Sequence, residues 1–272
     1  MSILSDITKI ALIMQANEEF KLGNCQQNQL QAWFESRLGQ VLLEQERECL
    51  QQRVAAIFGY HVVQIGAPTP LYELLQTSPA RNRVILDRHP GPGRSLMADP
   101  RYLPLANDSV DGVVLPHTLD FSSDPHQLMR EVERILIPEG KVLVSGFNPW
   151  SPWGIRRLFQ RHTGKPPWCG HFFSCKRVQD WFSLLGFDLD EVAYLHYRPP
   201  LHNQVVTQKL AFLEGLGKRV WPSLGGIYVI QGVKRTATLT PIRTRWRVKK
   251  RVMPAAAEPT ARSSRTIHDT MR

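Results

Sequence analysis

The chain has 272 residues, 42% of them hydrophobic and 21% charged, a composition that supports a real core and excludes a fibrous or wholly disordered polypeptide. Its formal net charge of +10 points to nucleic acid only until it is located: Lys234 to Arg272 hold eleven Lys/Arg against Glu258 and Asp269, and the rest of the chain carries 23 basic and 22 acidic groups. The body is thus near neutral, and the basicity belongs to the C-terminal tail.

Residues 1–25 show no clear pattern. From Gln26 to Phe58, Leu30, Trp33, Phe34, Leu38, Val41, Leu42, Leu50, Val54 and Ile57 recur at helical spacing, which predicts one or two amphipathic helices broken or bent near Gly39. Such helices serve either as packing against a core domain or as a lid over a pocket. Gly59 ends this region, and His61 to Gly66 reads as a strand. A short helix is expected over Pro70 to Thr77, a second strand over Arg83 to Asp87, a rigid Pro90-Gly91-Pro92-Gly93 turn, and a brief third strand over Arg94 to Met97.

Asp111 to Leu115 is a fourth strand. Pro125 to Leu136 is a helix with Leu128, Met129, Val132 and Ile135 on one face, Asp124 as its N-cap and Pro125 at its first position. Pro138-Glu139-Gly140 stops it, and Lys141 to Phe147 is a fifth strand. Asn148 to Gly170, rich in Pro, Gly and Trp, reads as a long loop with a helical piece at Ile155–Gln160. Ser174 caps a helix to Leu185, which Gly186 stops. Phe187 to Tyr197 and Gly226 to Lys234 are the last two strands, separated by an insertion. Beyond about Thr240 no apolar periodicity remains, and disorder is expected.

Strand and helix alternate with short connections, so the expected class is α/β: a Rossmann-like doubly wound, mostly parallel sheet with an antiparallel edge strand and an N-terminal helical extension. The expected division is a helical extension over 1–58, the α/β domain over 59–235 and a basic tail over 236–272. Cys25, Cys49, Cys169 and Cys175 lack CxxC spacing, and Cys169 and Cys175 around His171 match a zinc site poorly; free thiols and no metal are expected. No apolar run approaches the roughly 20 residues that span a bilayer, and Ile10 to Met14 lacks a signal-cleavage site, so a cytoplasmic location is the expectation.

In doubly wound sheets, ligands bind at the carboxyl ends of the strands, at the point where strand order reverses. That rule places Gly66, Asp87, Asp99 and the loop Pro116 to Phe121 around one crevice. Asp87 follows Gly66 by 21 residues, a spacing that suits an acid on a ribose diol and equally a simple turn cap.

The run Asp99-Pro-Arg-Tyr-Leu-Pro-Leu-Ala-Asn-Asp-Ser-Val-Asp-Gly-Val-Val, followed by His117, Asp124-Pro125 and Glu131-Val-Glu-Arg-Ile-Leu-Ile-Pro-Glu-Gly, resembles the class I S-adenosylmethionine-dependent methyltransferases, most closely the type 11 group. The resemblance is collinear from about His61 to Asn148 and specific over Asp99 to Gly140. It implies S-adenosylmethionine as cofactor. Asp87, with Arg88 beside it, would hold the ribose hydroxyls, and Asp99, with Pro100 and Arg101, the adenine amino group. Leu115, Pro116 and His117 would line the methionine and methyl end. Asp111 would be structural.

The chain departs from that family at its first motif. Where the family has acid-x-Gly-x-Gly-x-Gly, this sequence reads Gln64-Ile65-Gly66-Ala67-Pro68-Thr69-Pro70. Only Gly66 survives, Pro68 and Pro70 lack N–H donors, and Gln64 has no charge to offer a methionine ammonium. His117 and Asp120 are the candidate catalytic pair, His117 reading either as a base or as a packing histidine. Trp150 and Trp153 are candidates for an apolar acceptor wall or a packed corner. The expected activity is methyl transfer to a small or apolar molecule. One alternative is an inactive binding or scaffold protein that kept the fold. The other is an RNA-directed methyltransferase using the tail, whose Arg243-Thr-Arg-Trp-Arg-Val-Lys-Lys-Arg segment suits RNA or an anionic surface.

Overall fold

The structure is a computed structural model that describes residues 27–69, 72–160, 163–200 and 212–235. The chain divides into Met1–Thr236 and Ala237–Arg272. The second unit, with the expectations made for the basic tail, lies outside the described residues.

A seven-stranded sheet organises the first unit. Its strands are β1 (His61–Ile65), β2 (Asn82–Asp87), β3 (Leu96–Met97), β4 (Val110–Pro116), β5 (Leu136–Phe147), β6 (Phe187–Leu195) and β7 (Ile227–Lys234), in the spatial order β3-β2-β1-β4-β5-β7-β6. β1 through β5 pair in parallel, and β7 runs antiparallel between β5 and β6. The antiparallel strand therefore lies one place in from the edge. β4 and β7 are near-continuous apolar runs because both faces of the sheet are covered.

The helices are α1 (Gln27–Glu35), α2 (Arg37–Val54), α3 (Pro125–Ile135), α4 (Pro152–Gln160), α5 (Cys175–Leu184) and α6 (Phe212–Val220). On one face of the sheet, α3 and α5 bury Leu128, Met129, Val132, Val178 and Phe182 against Val113, Val142 and Ile230. On the other face, α2 buries Leu42, Leu50 and Val54 against Val62, Val114, Leu143 and Val229. The helix expected over Pro70 to Thr77 contracts, within the described residues, to a 3-10 turn at Leu75–Thr77. The β1-to-β2 connection is thus too thin to cover its face, and α2 supplies the missing layer.

The break between α1 and α2 falls at Ser36, three residues before Gly39. Ser36 caps α2 by accepting the Gly39 N–H at 3.4 Å. Gly39 permits the tight corner, since a Cβ there would lie 2.5 Å from the Trp33 carbonyl. At α3, the Asp124 carboxylate accepts the Gln127 N–H at 2.9 Å. β5 then begins directly at Leu136: Leu136 pairs with Val110 and Lys141 with Gly112, so the Pro-Glu-Gly turn bulges out of the ladder with Glu139 at φ +65°. Cys49 and Cys175 are buried free thiols, whereas Cys169 is disulfide-bonded, which corrects the expectation of free thiols throughout. No helix among the described residues is long and apolar enough to cross a membrane.

Candidate functional site

A cavity of about 410 Å³ opens at the carboxyl ends of β1, β2 and β4, where strand order reverses. Its walls come from five segments: Leu30 and Phe34 of α1, Gly66 to Pro68 after β1, Asp87 to His89 after β2, Asp99 to Arg101, and Pro116 to Thr118 with Phe121 to Ser123 after β4. Helix α1 is therefore a wall of the cavity, while α2 is part of the core.

Asp87, Arg88, Asp99, Pro100, Arg101, Gly66, Pro116 and His117 all reach this cavity. Asp87 accepts from Arg94 Nε at 2.9 Å and from the His89 N–H at 3.2 Å. Asp99 accepts from Arg101 Nη2 at 2.8 Å, from the Arg101 N–H at 3.0 Å and from Arg88 Nη2 at 2.9 Å. Hydrogen bonding from Arg101 holds the Asp99 carboxyl down at about 2, against the desolvation that opposes it. The segment bearing Asp99 is clamped from below by α3. Glu131 accepts the Leu103 N–H at 2.8 Å, and Arg134 donates to the carbonyls of Leu103 (2.9 Å) and Leu105 (2.8 Å) and to Asn107 (2.7 Å). The Glu-x-x-Arg spacing of the sequence places both clamp residues on one face of the helix.

Of the expected donor-site residues, Gln64 and Leu115 do not line the cavity, and neither does Asp120 of the expected catalytic pair. Leu115 is fully buried in the core. Gln64 points beneath the loop: its Nε2 donates to the carbonyls of Gly66 (3.1 Å) and Tyr72 (2.9 Å), and its Oε1 accepts the Leu74 N–H at 3.1 Å. An amide can donate and accept at once, which a carboxylate cannot. Gln64 thereby braces a loop in which proline has removed backbone donors. Gly66 keeps φ +80°, and a Cβ there would stand 3.0 Å from Thr118 Oγ1.

Trp150 and Trp153 share no wall. Trp153 is fully buried, packed on Phe147 and Trp168, and Trp150 is 74% exposed. The apolar wall of the cavity consists of Leu30, Phe34 and Phe121.

His117, at φ +52°, forms the cavity floor. Its Nδ1 donates to Asp120 Oδ2 at 2.9 Å, and its Nε2 lies 3.5 Å from Oε2 of Glu46, a fully buried acid of α2. The ring packs on Phe147 at 4.3 Å between centroids. Asp120 Oδ2 also accepts the Phe147 N–H at 2.9 Å, and Ser145 Oγ donates to Glu46. Burial pulls the imidazole pKa down, but the Glu46 charge and the Asp120 hydrogen bond outweigh it and lift the value to about 9. Burial raises the Asp120 carboxyl. Glu46 is the site residue that the sequence pattern does not mark: its helix also carries Glu44, Arg47 and Glu48, and nothing along the chain sets Glu46 apart from them.

The family model of the methyltransferase domain matches residues 58–144. YafS, an uncharacterised protein of Escherichia coli K12, is 33% identical over 185 residues, covering 68% of this chain and 72% of YafS. An S-adenosylmethionine-dependent methyltransferase from Thermotoga maritima superposes with a TM-score of 0.52 at 18% identity, over 80% of this chain and all of that one. A chain of the complex between the Haloferax volcanii Trm112 methyltransferase activator and its methyltransferase also gives 0.52 at 18% identity, over 76% of this chain and 98% of that one.

Proposed function

The chain belongs to the class I S-adenosylmethionine-dependent methyltransferase family, and from that premise we propose that it transfers a methyl group from S-adenosylmethionine to a small, apolar acceptor. The observation that carries this reading is the cavity at the strand-order reversal, with Asp87 and Asp99 on its rim and an apolar wall opposite. Its volume lies within the range of about 300–1,000 Å³ usual for small-molecule sites. Asp87 would hold the ribose hydroxyls of the donor and Asp99 the adenine edge, both already oriented by arginine partners. Bound S-adenosylmethionine supplies an activated methyl group on a sulfonium.

The protein's part is to hold the acceptor in line and keep water out, since proximity and alignment provide much of the acceleration in such a displacement. Leu30, Phe34 and Phe121 suit an apolar acceptor. His117 and Asp120 act as positioning residues in this reading, because the imidazole is protonated at neutral pH and both ring nitrogens face carboxylates. The floor is a charged strut whose place is set by α2.

Calorimetric titration with S-adenosylmethionine and S-adenosylhomocysteine tests the reading. Binding of both is expected, weakened about tenfold or more in Asp99→Ala and Asp87→Ala, as loss of a charge-assisted hydrogen bond predicts. Absence of binding at millimolar ligand would overturn the enzyme reading in favour of a binding or scaffold protein. Unchanged affinity in both variants would overturn the placement of the site.

A further inference from the structure

Next to β5 the surface is apolar where a soluble protein ordinarily is not. The inner face of α4 buries Trp153 and Gly154. Its outer face presents Ile155, Leu158 and Phe159, at the i, i+3, i+4 spacing of one helical stripe, exposed to 57%, 59% and 80%. Trp150 is exposed just before this helix, and Asn148 holds its backbone. The Asn148 side-chain amide donates to the carbonyls of Ser223 (2.8 Å) and Gly225 (2.9 Å), and its Oδ1 accepts the Trp150 N–H at 3.1 Å. Trp150 is thereby pinned beside the turn Pro222–Leu224, where Trp221 and Leu224 are also exposed.

The segment that carries α4 is basic. Asn148 to Gly170 contains Arg156, Arg157, Arg161 and Lys165 and no Asp or Glu. Arg156 and Arg157 lie over the rings of Trp168 and Phe172, which holds their stems on the flank of the same helix. Phe147 pairs with Ile227, so α4 and the Pro222–Leu224 turn leave the sheet at the end that carries the cavity.

A helix with an apolar outer stripe, basic flanks and adjoining tryptophans is the composition that lies in the headgroup plane of a bilayer. We infer that Trp150, the outer face of α4 and the Trp221–Leu224 turn dock on an anionic lipid surface, bringing the cavity end of the sheet to the membrane. A segment around α4 that carries basic and no acidic residues suits an anionic lipid surface better than a protein partner, which would present both signs of charge. Trp150, Phe159 and Trp221 could stack on bases, but the aliphatic Ile155, Leu158 and Leu224 exposed among them suit insertion between acyl chains instead.

Flotation of the full-length protein with vesicles tests this. Vesicles of equal parts phosphatidylglycerol and phosphatidylcholine should carry the protein, vesicles of phosphatidylcholine alone should carry much less, and raised salt should weaken the difference. Leu158→Ser/Phe159→Ser should lower the partition coefficient about tenfold or more, because two apolar side chains no longer insert. Both positions are solvent-exposed, so the unfolding midpoint should not move, and Trp150→Ala provides a second variant with a loss in the same direction. Wild-type protein that ignores anionic vesicles overturns the inference. So does a double variant that floats as well as wild type, a result that would assign the binding to the basic tail. Donor binding by calorimetry should be the same in wild type and double variant, so failure of the docking surface and failure of the methyltransferase reading are read out separately.

Discussion

Two buried histidines, each at a strand's carboxyl end, meet opposite fates. His117 follows β4 and His196 follows β6; both have positive φ, +52° and +59°, and both are nearly inaccessible. Each is met by α2 at neighbouring positions: Glu46 faces His117, and Gln45 Oε1 lies 2.9 Å from His196 Nδ1. Burial drives both imidazoles toward the neutral form. At His196 the amide offers no charge to oppose it, Arg198 adds to it, and the pKa falls to about 4. At His117 two carboxylates reverse it, and the value rises to about 9. One helix thus sets one histidine neutral and the other cationic, and the difference lies in which neighbour carries a carboxylate.

The largest effect expected from breaking this contrast is at Glu46. Glu46→Ala leaves a buried imidazolium short of a partner and Ser145 without its acceptor, and should cost about 3–5 kcal/mol in denaturant unfolding at pH 7. Next is the pH dependence of the wild type. The folded pKa of His117 lies above its unfolded value of 6.5, so its contribution is complete below pH 6.5 and is lost as pH rises through 9. The folded pKa of His196 lies below 6.5, so its contribution is complete above pH 6.5 and is lost as pH falls toward 4. The two limbs place a stability maximum between them in unfolding measured from pH 4 to 9, with the raised Asp120 carboxyl opposing the acid limb. Glu46→Gln should flatten the alkaline limb, and Gln45→Glu should flatten the acid one; an unchanged profile in both would refute the assignment of the limbs to these histidines.

Smaller effects sharpen the contrast between the floor and the rim. Arg134→Ala removes hydrogen bonds to Leu103, Leu105 and Asn107 and should cost about 1–2 kcal/mol while loosening donor binding, because the segment holding Asp99 loses its clamp. Stability lost with full donor affinity would show that Asp99 is held without α3. Smallest is Asp124→Ala, an exposed cap one residue beyond the cavity wall at Ser123, expected at about 1 kcal/mol by thermal melting.

The rim was legible and the floor was not, for a physical reason. The Asp99-to-Asn148 block is local: cap, helix, turn and strand follow from neighbours a few residues apart, and Glu131 and Arg134 meet the Asp99 segment inside the same motif. Glu46 meets Ser145 across 99 positions, and no pattern along the chain marks it. Gln64 shows the same limit. Its replacement of the family's acid was visible, but its bonds to Gly66, Tyr72 and Leu74 depend on how the loop closes over it. Trp150 and Trp153 lie three positions apart, yet Trp150 is exposed in the turn before α4 while Trp153 is buried on that helix. Their shared composition said nothing about which way each faced.

By itself, the sequence determined the order of strands and helices, the α/β class and the place of Asp87 and Asp99 at strand ends, because periodicity, capping and turn chemistry act over short stretches of chain. Only the tertiary structure decided that α2 replaces the missing crossover helix, that α1 walls the cavity, and that a carboxylate from outside the motif fixes the charge of His117. Those outcomes arise where segments distant along the chain are brought into a space that water has left, and there a single buried charge outweighs any local preference.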